Sequence, residues 1–308
     1  MPRPFRFAVI GRWAGGGKRW REFARRAEGQ GYDTLLITDH MGPQLAPVPA
    51  MMAAADATER LRVGSFVFAN DYRNPVLLAK EIATIDVISG GRVDFGLGAG
   101  WNVGDYQQLG IAYDPPPARV ARFEEATGLI DRLLCGEAVD HRGTYYQIRG
   151  ARIEPLPVQR PRPPFMLGGG GPRVLRFAAR HAEIVSFIPS FNARGRPRLG
   201  TLRQGSFAER IAAFRRAAGS RLDTIDVNIW MVDAGVSDNA RSLRRAAATV
   251  AKRGANALIG FPFLLYGSRS SLRDLLRERR ETLGLNYISI PGPALDEFAP
   301  LVQELRGT

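Results

Sequence analysis

The chain has 308 residues, and its 43 Lys and Arg outnumber its 30 Asp and Glu, which gives a formal net charge of +13. Apolar residues make up 45%, an ordinary fraction that argues against wholesale disorder. The single cysteine excludes a disulfide framework and a zinc site with several thiolates, and we predict no metal site. No apolar run reaches the roughly 18 residues of a membrane span, so we expect a cytoplasmic protein without a membrane partner. The first apolar stretch is interrupted at Gly11 and Arg12, which favours a strand over a secretion signal.

The positive charge comes almost entirely from arginine, which supplies 40 of the 43 basic residues. It has three possible explanations: a solvated arginine-rich surface, an anionic small molecule in a basic cleft, or nucleic acid. The arginines are scattered along helical patterns beside acidic residues, without a basic stripe or interleaved aromatics. We therefore expect no nucleic-acid partner, and the first two explanations remain.

Short apolar runs alternate with amphipathic stretches along the chain. The predicted strands are Phe5–Ile10, Thr34–Ile37, Arg62–Phe68, Arg92–Leu97, Phe165–Leu167, Glu183–Ile188, Thr224–Val232 and Tyr287–Ile290. The predicted helices are Lys18–Gln30, Pro49–Arg60, Val76–Ile88, Ala118–Leu134, Pro172–His181, Asp238–Arg253, Leu272–Leu283 and Ala294–Arg306. Continuously apolar strands that alternate with helices favour parallel pairing with right-handed crossovers. We predict an α/β fold, a closed (β/α)8 TIM barrel forming one domain over residues 1–308, with an open doubly wound sheet as the alternative.

Three segments do not fit the repeating unit: Cys135–Pro164, Pro189–Gly205 and Gly254–Ser268. Insertions that follow barrel strands lie at the catalytic face of such a fold. The second and third segments follow the sixth and seventh predicted strands, so they are candidate lids over a pocket. The alternative for the second segment is a disordered surface loop.

Thr38, Asp39 and His40 follow the second predicted strand, where catalytic groups of a barrel belong. An imidazole there can donate a proton or hydrogen-bond a ligand near neutral pH. Asp39 could orient His40 or bond a cofactor ring. The alternative is a hydrogen-bonded pair without a catalytic role. The other two histidines, His141 in a turn-like stretch and His181 at a helix end, are interpreted as structural or exposed.

Glycines follow two further strands. Gly98, Ala99 and Gly100 allow the backbone to approach a flat ligand closely, but their spacing does not match a dinucleotide-binding fingerprint. Gly168–Gly171 precede a helix that begins at Pro172, and free N–H groups at such a helix start favour a phosphate. Arg173 could reinforce that anion site, and a merely flexible turn is the alternative.

Two runs, Pro75–Gly100 and Pro155–Val185, resemble the hallmark segments of the bacterial luciferase-like superfamily, and in particular its branch that uses the deazaflavin coenzyme F420. The likeness extends over nearly the whole chain in the right order. It implies a (β/α)8 barrel with the deazaflavin ring across its mouth and the cofactor phosphate at Gly168–Gly171. It also implies a non-proline cis peptide bond between Phe66 and Val67 behind the ring.

The resemblance gives further residues a role. Asp39 and the backbone of Gly98, Ala99 and Gly100 would meet the ring edge, and Asn70 and Trp101 would shape the substrate pocket. Sugar-phosphate dehydrogenases of the branch carry an acidic residue where this chain has Trp101, which puts sugar-phosphate oxidation in doubt. Trp101 offers a large apolar wall instead, which suits a flat substrate.

The predicted function is hydride transfer between C5 of F420 and a small organic substrate, with His40 as the proton donor. An FMN-dependent monooxygenase of the same superfamily is the first alternative, and a non-catalytic cofactor-binding barrel is the second. Relatives often form dimers, so a homodimer is possible. The polyanionic tail of F420 could meet Arg173 and four loop arginines, which are Arg194, Arg196, Arg198 and Arg203. The anionic-ligand explanation of the charge therefore gains weight.

Overall fold

A computed structural model describes residues 2–12, 15–190, 204–237 and 262–308. Nine strands form one parallel sheet that closes on itself into a barrel. They are β1 (Arg6–Gly11), β2 (Thr34–Ile37), β3 (Arg62–Ser65), β4 (Phe68–Ala69), β5 (Val93–Gly98), β8 (Phe165–Gly169), β9 (Ile184–Phe187), β10 (Asp226–Trp230) and β13 (Leu285–Pro291). Strand β1 pairs with β2 and β13, and closure occurs where Val63 of β3 pairs with Val93 of β5. The barrel prediction is confirmed.

Helices follow most of the barrel strands and pack their apolar faces on the sheet. They are α1 (Gly17–Gly29), α2 (Pro47–Asp56), α3 (Pro75–Ile88), α4 (Val103–Leu109), α5 (Pro116–Leu134), α6 (Pro172–His181), α7 (Gln204–Ala218), α8 (Arg269–Leu283) and α9 (Leu295–Leu305). Proline at the first turn of α3, α5 and α6 fixes φ where an N–H would lack an acceptor anyway. None of the helices in the described ranges is long and apolar enough to cross a membrane.

The third barrel strand is broken, whereas the sequence predicts one strand over Arg62–Phe68. Strands β3 and β4 are separated by a cis peptide bond between Phe66 and Val67, at the position that the family resemblance implies. Both pieces pair with β5, and the barrel therefore has eight staves built from nine strands. The apolar run is continuous, so periodicity alone does not reveal the break.

Several elements are absent from the prediction. Two antiparallel strands, β6 (Val139–Arg142) and β7 (Gln147–Ala151), form a hairpin inside the Cys135–Pro164 insertion. A second small sheet pairs β11 (Asp233–Val236) with β12 (Leu264–Gly267). The prediction also lacks helices α4 and α7. Helix α4 is short and has no apolar periodicity, whereas α7 carries Phe207, Ile211 and Phe214 at helical spacing, which the sequence analysis missed.

Some predictions fall outside the described residues. The helix predicted over Asp238–Arg253 and most of the two candidate lids, Pro189–Gly205 and Gly254–Ser268, belong to this group. The same holds for the loop arginines Arg194, Arg196, Arg198 and Arg203.

Candidate active site

A cavity of about 330 Å³ lies at the carboxyl ends of the barrel strands. Its size is in the range of small-molecule and cofactor pockets. The lining residues that the structure describes come from seven of the eight staves, which are β1, β2, the broken stave of β3 and β4, β5, β8, β9 and β10. They are Arg12, Thr38, Asp39, His40, Phe66, Val67, Phe68, Ala69, Tyr72, Gly100, Trp101, Asn102, Gly168, Ser186, Ile188 and Trp230.

The broken third strand forms one wall of the cavity, and glycines on β5 make room for it. A Cβ atom added at Gly98 would lie 2.7 Å from Cγ2 of Val67, and one at Gly96 would lie 2.0 Å from the carbonyl oxygen of Ser65. The glycines of this strand are therefore required for packing between staves as well as for any ligand. This requirement explains why they do not follow a dinucleotide-binding spacing.

His40 is held at the cavity by a carboxylate from a different element. Its Nδ1 lies 2.6 Å from Oδ2 of Asp105 on α4, and Asp105 is buried. The other oxygen of Asp105 accepts a hydrogen bond from the backbone N–H of Met41, next to the histidine. The imidazole also packs edge-on against Trp101, with 5.4 Å between ring centroids. These contacts fix the orientation of the ring. The second ring nitrogen, Nε2, takes no part in the contact with Asp105.

Asp39 does not orient His40, which corrects one of the two roles that the sequence left open. Its two oxygens accept hydrogen bonds from the guanidinium of Arg73 at 2.6 and 3.0 Å, and Oδ2 also accepts one from the backbone N–H of Ala69. Asp39 is buried and lines the cavity. The bidentate pair ties the end of β2 to the segment that follows β4 and so shapes the cavity wall.

Tyr72 extends the polar network behind the histidine. Its hydroxyl donates a hydrogen bond to Oδ2 of Asp105 at 3.3 Å. Burial, together with the charges of Asp105 and Asp39, raises the pKa of Tyr72 above its ordinary value. Tyr72 therefore stays a neutral hydrogen-bond donor at physiological pH.

Asn70 is next to the cavity but not among its lining residues. Its side-chain amide donates to the hydroxyl of Tyr146 at 3.1 Å and to Oδ1 of Asp71 at 3.3 Å. Asn70 is buried, and these bonds anchor the turn after β4 to the hairpin. Trp101 lines the cavity as predicted, and Trp230 on β10 adds a second tryptophan whose ring packs edge-on against Phe66.

The predicted phosphate loop lies at the carboxyl end of β8. Gly168 lines the cavity, a Cβ at Gly171 would meet nothing within 4 Å, and Gly171 caps α6 without a side-chain hydrogen bond. A Cβ at Gly170 would lie 2.3 Å from Oγ of Ser190, so this glycine serves packing. Arg173 points elsewhere, because its guanidinium pairs with both carboxylate oxygens of Glu124 on α5 and it does not line the cavity.

The other two histidines are not among the residues that line the cavity, and each contacts a side chain elsewhere. Nε2 of His141 lies 3.0 Å from Oε1 of Glu125, and His181 stacks on Phe177 with 4.4 Å between centroids. The site residues that sequence reasoning missed are Asp105, Tyr72, Arg73 and Trp230. A buried aspartate on a short helix after a barrel strand is the signal that could have found Asp105, since barrel sites collect polar groups from βα loops.

Taken together, the fold and the site define a (β/α)8 barrel with a cofactor-sized cavity at the carboxyl ends of its strands, backed by a strand break and flanked by a carboxylate-bound histidine. The model of the luciferase-like monooxygenase family matches residues 7–284, and the chain belongs to this family.

Individual relatives agree with this assignment. The chain is 34% identical over 170 residues to an F420-dependent glucose-6-phosphate dehydrogenase of Microbacterium testaceum, covering 53% of this chain and 50% of that protein. The chain thus spans about half the length of the curated relatives it matches. Its fold is similar to that of the coenzyme F420-dependent tetrahydromethanopterin reductase of Methanopyrus kandleri, with a TM-score of 0.78, 18% identity and 98% coverage of each chain. It is also similar to a monooxygenase of Streptomyces bottropensis, with a TM-score of 0.73, 20% identity and coverage of 97% and 96%.

Proposed function

We propose that the protein is an F420-dependent oxidoreductase that moves a hydride between the deazaflavin and a small organic substrate. The observation that carries the proposal is the placement of His40, which Asp105 holds at a cavity that the broken third strand also lines. The names of the similar dehydrogenases and reductase support the choice of cofactor. When bound, F420 supplies or accepts a hydride at C5.

The residues present fit such a cofactor. The cavity volume of about 330 Å³ accommodates a flat three-ring system, and its walls near the strand break are apolar side chains and glycine backbone. Val67 and Gly100 would support the ring, together with the backbone of Ala99. Gly168–Gly171 and the start of α6 would hold the phosphate through backbone N–H groups, as a helix N-terminus does.

His40 would move the proton that accompanies the hydride. In the neutral imidazole, Nδ1–H donates to Asp105, which leaves Nε2 as a base that can accept a proton from a substrate hydroxyl. In the protonated imidazole, both nitrogens carry hydrogen, and Nε2–H can donate to a reduced substrate. The same pair therefore serves either direction of hydride transfer.

The substrate is proposed to be flat and largely apolar. The relatives are named for glucose 6-phosphate, but the family resemblance implies that Trp101 stands where such enzymes carry an acidic residue. Among the described lining residues, the only carboxylate belongs to Asp39, and Arg73 occupies both of its oxygens. With Trp101 and Trp230 in the lining, an activated C=C, C=N or C=O compound with a planar body is favoured over a sugar phosphate.

An FMN-dependent monooxygenase is the second candidate, favoured by the family's description and by the similar monooxygenase fold. The purified protein would be titrated with F420 and with FMN, and each dissociation constant measured from the cofactor's fluorescence. We expect F420 to bind at least about tenfold more tightly, a difference of about 1.4 kcal/mol. Tight binding of FMN without binding of F420 would overturn the proposal.

Turnover separates both enzymes from a non-catalytic barrel. The loaded protein would be offered glucose 6-phosphate and a panel of activated alkenes, imines and ketones, and the absorbance of F420 followed. We expect consumption of reduced F420 with a planar acceptor and none of the oxidised form with glucose 6-phosphate. Binding of F420 with no turnover of any compound would favour the non-catalytic reading.

A further inference from the structure

Arg210 on α7 is a partly buried cation beside the proposed phosphate loop, and the mechanism above does not use it. Its Nη2 donates hydrogen bonds to the carbonyl oxygens of Gly169, at 3.2 Å, and of Ile188, at 2.8 Å. These carbonyls are at the carboxyl ends of the adjacent strands β8 and β9. Its Nε and Nη1 are buried and have no hydrogen-bond partner in the described part of the chain.

No carboxylate within the described ranges pairs with Arg210, whose nearest aromatic neighbours are Phe187 and Phe263. Burial lowers the pKa of Arg210 to about 10, so the side chain is still a cation at neutral pH. A charge that is withdrawn from water without a counterion lowers the free energy of unfolding, and an apolar residue in its place often stabilises the fold. Such a charge is therefore expected where it interacts with a bound ligand.

The start of helix α6 adds further positive potential near Arg210. Gly169 is two residues before Gly171, the N-cap of α6, so Arg210 lies at the positive end of that helix dipole. The peptide between Gly169 and Gly170 is trans, which places the N–H of Gly170 opposite to the carbonyl that Arg210 holds. The guanidinium therefore fixes one N–H of the loop as well as contributing charge.

Arg221 provides a matched contrast at the other end of α6. Its guanidinium also donates to two carbonyl oxygens, those of Ala179 at 2.7 Å and Ala182 at 2.9 Å. A cation at this end of a helix is favoured by the helix dipole and by the unsatisfied carbonyls of the last turn. Arg221 therefore has a complete structural explanation, whereas Arg210 does not.

We propose that Arg210 is a positioning residue of the cofactor phosphate site: it orients the Gly169–Gly170 peptide, adds positive charge behind the loop, and so selects a phosphate-bearing cofactor over its phosphate-free form. The inference rests on the proposed function, because it takes the loop of Gly168–Gly171 as the phosphate site. Buried charges are screened little by salt, so the contribution of Arg210 persists at physiological ionic strength.

The test compares two forms of the ring–ribityl fragment of F420, its 5′-phosphate and the deazariboflavin that lacks phosphate, which differ by one phosphate only. Dissociation constants for both would be measured by fluorescence for the wild type, Arg210→Met, Arg210→Lys and Arg221→Met, with thermal melting of each protein. We expect Arg210→Met to weaken binding of the phosphorylated form about tenfold, equivalent to about 1.4 kcal/mol, and binding of the phosphate-free form less than about twofold. Arg210→Lys keeps the charge and should retain most of the preference for phosphate, while Arg221→Met should lower the melting temperature and leave the preference unchanged.

An unchanged ratio of the two dissociation constants in Arg210→Met would overturn the inference. If that variant does not fold, Arg210→Gln, which also removes the charge, decides in the same way: an unchanged ratio in a folded glutamine variant overturns the inference. A wild type that binds neither deazaflavin would contradict the proposed function instead, and the same comparison would then be made with FMN and riboflavin, which also differ by one phosphate.

Discussion

The two ends of the barrel differ in how their charged side chains are paired. At the amino end, the buried carboxylate of Asp94 accepts from Arg62 at 2.7 Å and from Arg6 at 3.0 Å, and Arg6 continues to Asp226. At the carboxyl end, His40 lines the cavity, and Arg210 keeps two nitrogens without partners in the described chain. Asp94 at the amino end has its partners within the protein, whereas Arg210 at the carboxyl end has no carboxylate partner in the described chain. One fold thus separates stability from function, as barrels of this class do.

The largest expected effect is at the amino end. Asp94→Asn leaves two arginines without their shared partner, and we expect a loss of about 3–5 kcal/mol in the free energy of unfolding, measured with urea. The dissociation constant of F420 should not change, because Asp94 is at the opposite end from the cavity. Weaker binding of F420 with an unchanged free energy of unfolding would contradict the view that the amino end serves stability and the carboxyl end serves binding.

Asp94→Asn should also change how the stability of the protein depends on pH. Burial alone would raise the pKa of Asp94, but the charges of Arg62 and Arg6 outweigh burial and lower it. The stabilisation is therefore complete above the pKa of an unfolded aspartate, about 3.9, and is lost as the pH falls through the lower pKa of the folded state. We expect wild-type stability to fall more steeply below about pH 4 than that of Asp94→Asn.

The second effect is on catalysis at the carboxyl end. His40→Ala should lower kcat about 10²–10⁴-fold, because the proton carrier is lost, with the melting temperature and F420 affinity nearly unchanged. His141→Ala is the matched control, since His141 also pairs with a carboxylate and its side chain is equally exposed, at 27%. It should leave kcat unchanged. Equal loss of activity in both variants would show that the effect is structural.

A smaller effect is expected behind the histidine. Asp105→Asn removes the charge that orients His40, and we expect kcat to fall about 10–100-fold with little change in KM, in keeping with the size of orientation effects. Asp105→Glu should recover part of the activity, because it keeps a carboxylate. Tyr72→Phe removes only one donor to Asp105 and should cost less than about threefold in kcat. A rise in KM without a fall in kcat would assign Asp105 to substrate binding instead.

The smallest effect concerns a glycine of the cavity rim. Gly100 has φ of +71°, and a Cβ there would lie 2.1 Å from the hydroxyl of Tyr106, so Gly100→Ala should lower the free energy of unfolding by about 1–3 kcal/mol. Gly128→Ala, on the exposed face of α5 with no atom near its Cβ, should raise it by about 0.5–1 kcal/mol. Urea unfolding of both variants measures the difference, and equal changes would argue that Gly100 is not conformationally required.

The sequence alone determined the barrel, because buried parallel strands are read from short apolar runs that depend on near neighbours only. It also placed His40, Trp101 and Gly168–Gly171 correctly at strand ends, since the carboxyl ends of parallel strands meet at one face. The family resemblance located the cis bond at Phe66–Val67, which local periodicity does not reveal.

Only the tertiary structure decided which side chains meet. Asp105 is 65 residues from His40, and Arg73 is 34 residues from Asp39. These pairs depend on how separate staves are arranged around the barrel, which no pattern of neighbouring residues encodes. The +13 charge shows the same division. Its size follows from composition, but which cation is unpaired beside the phosphate loop follows from the packing of α7 against β8 and β9.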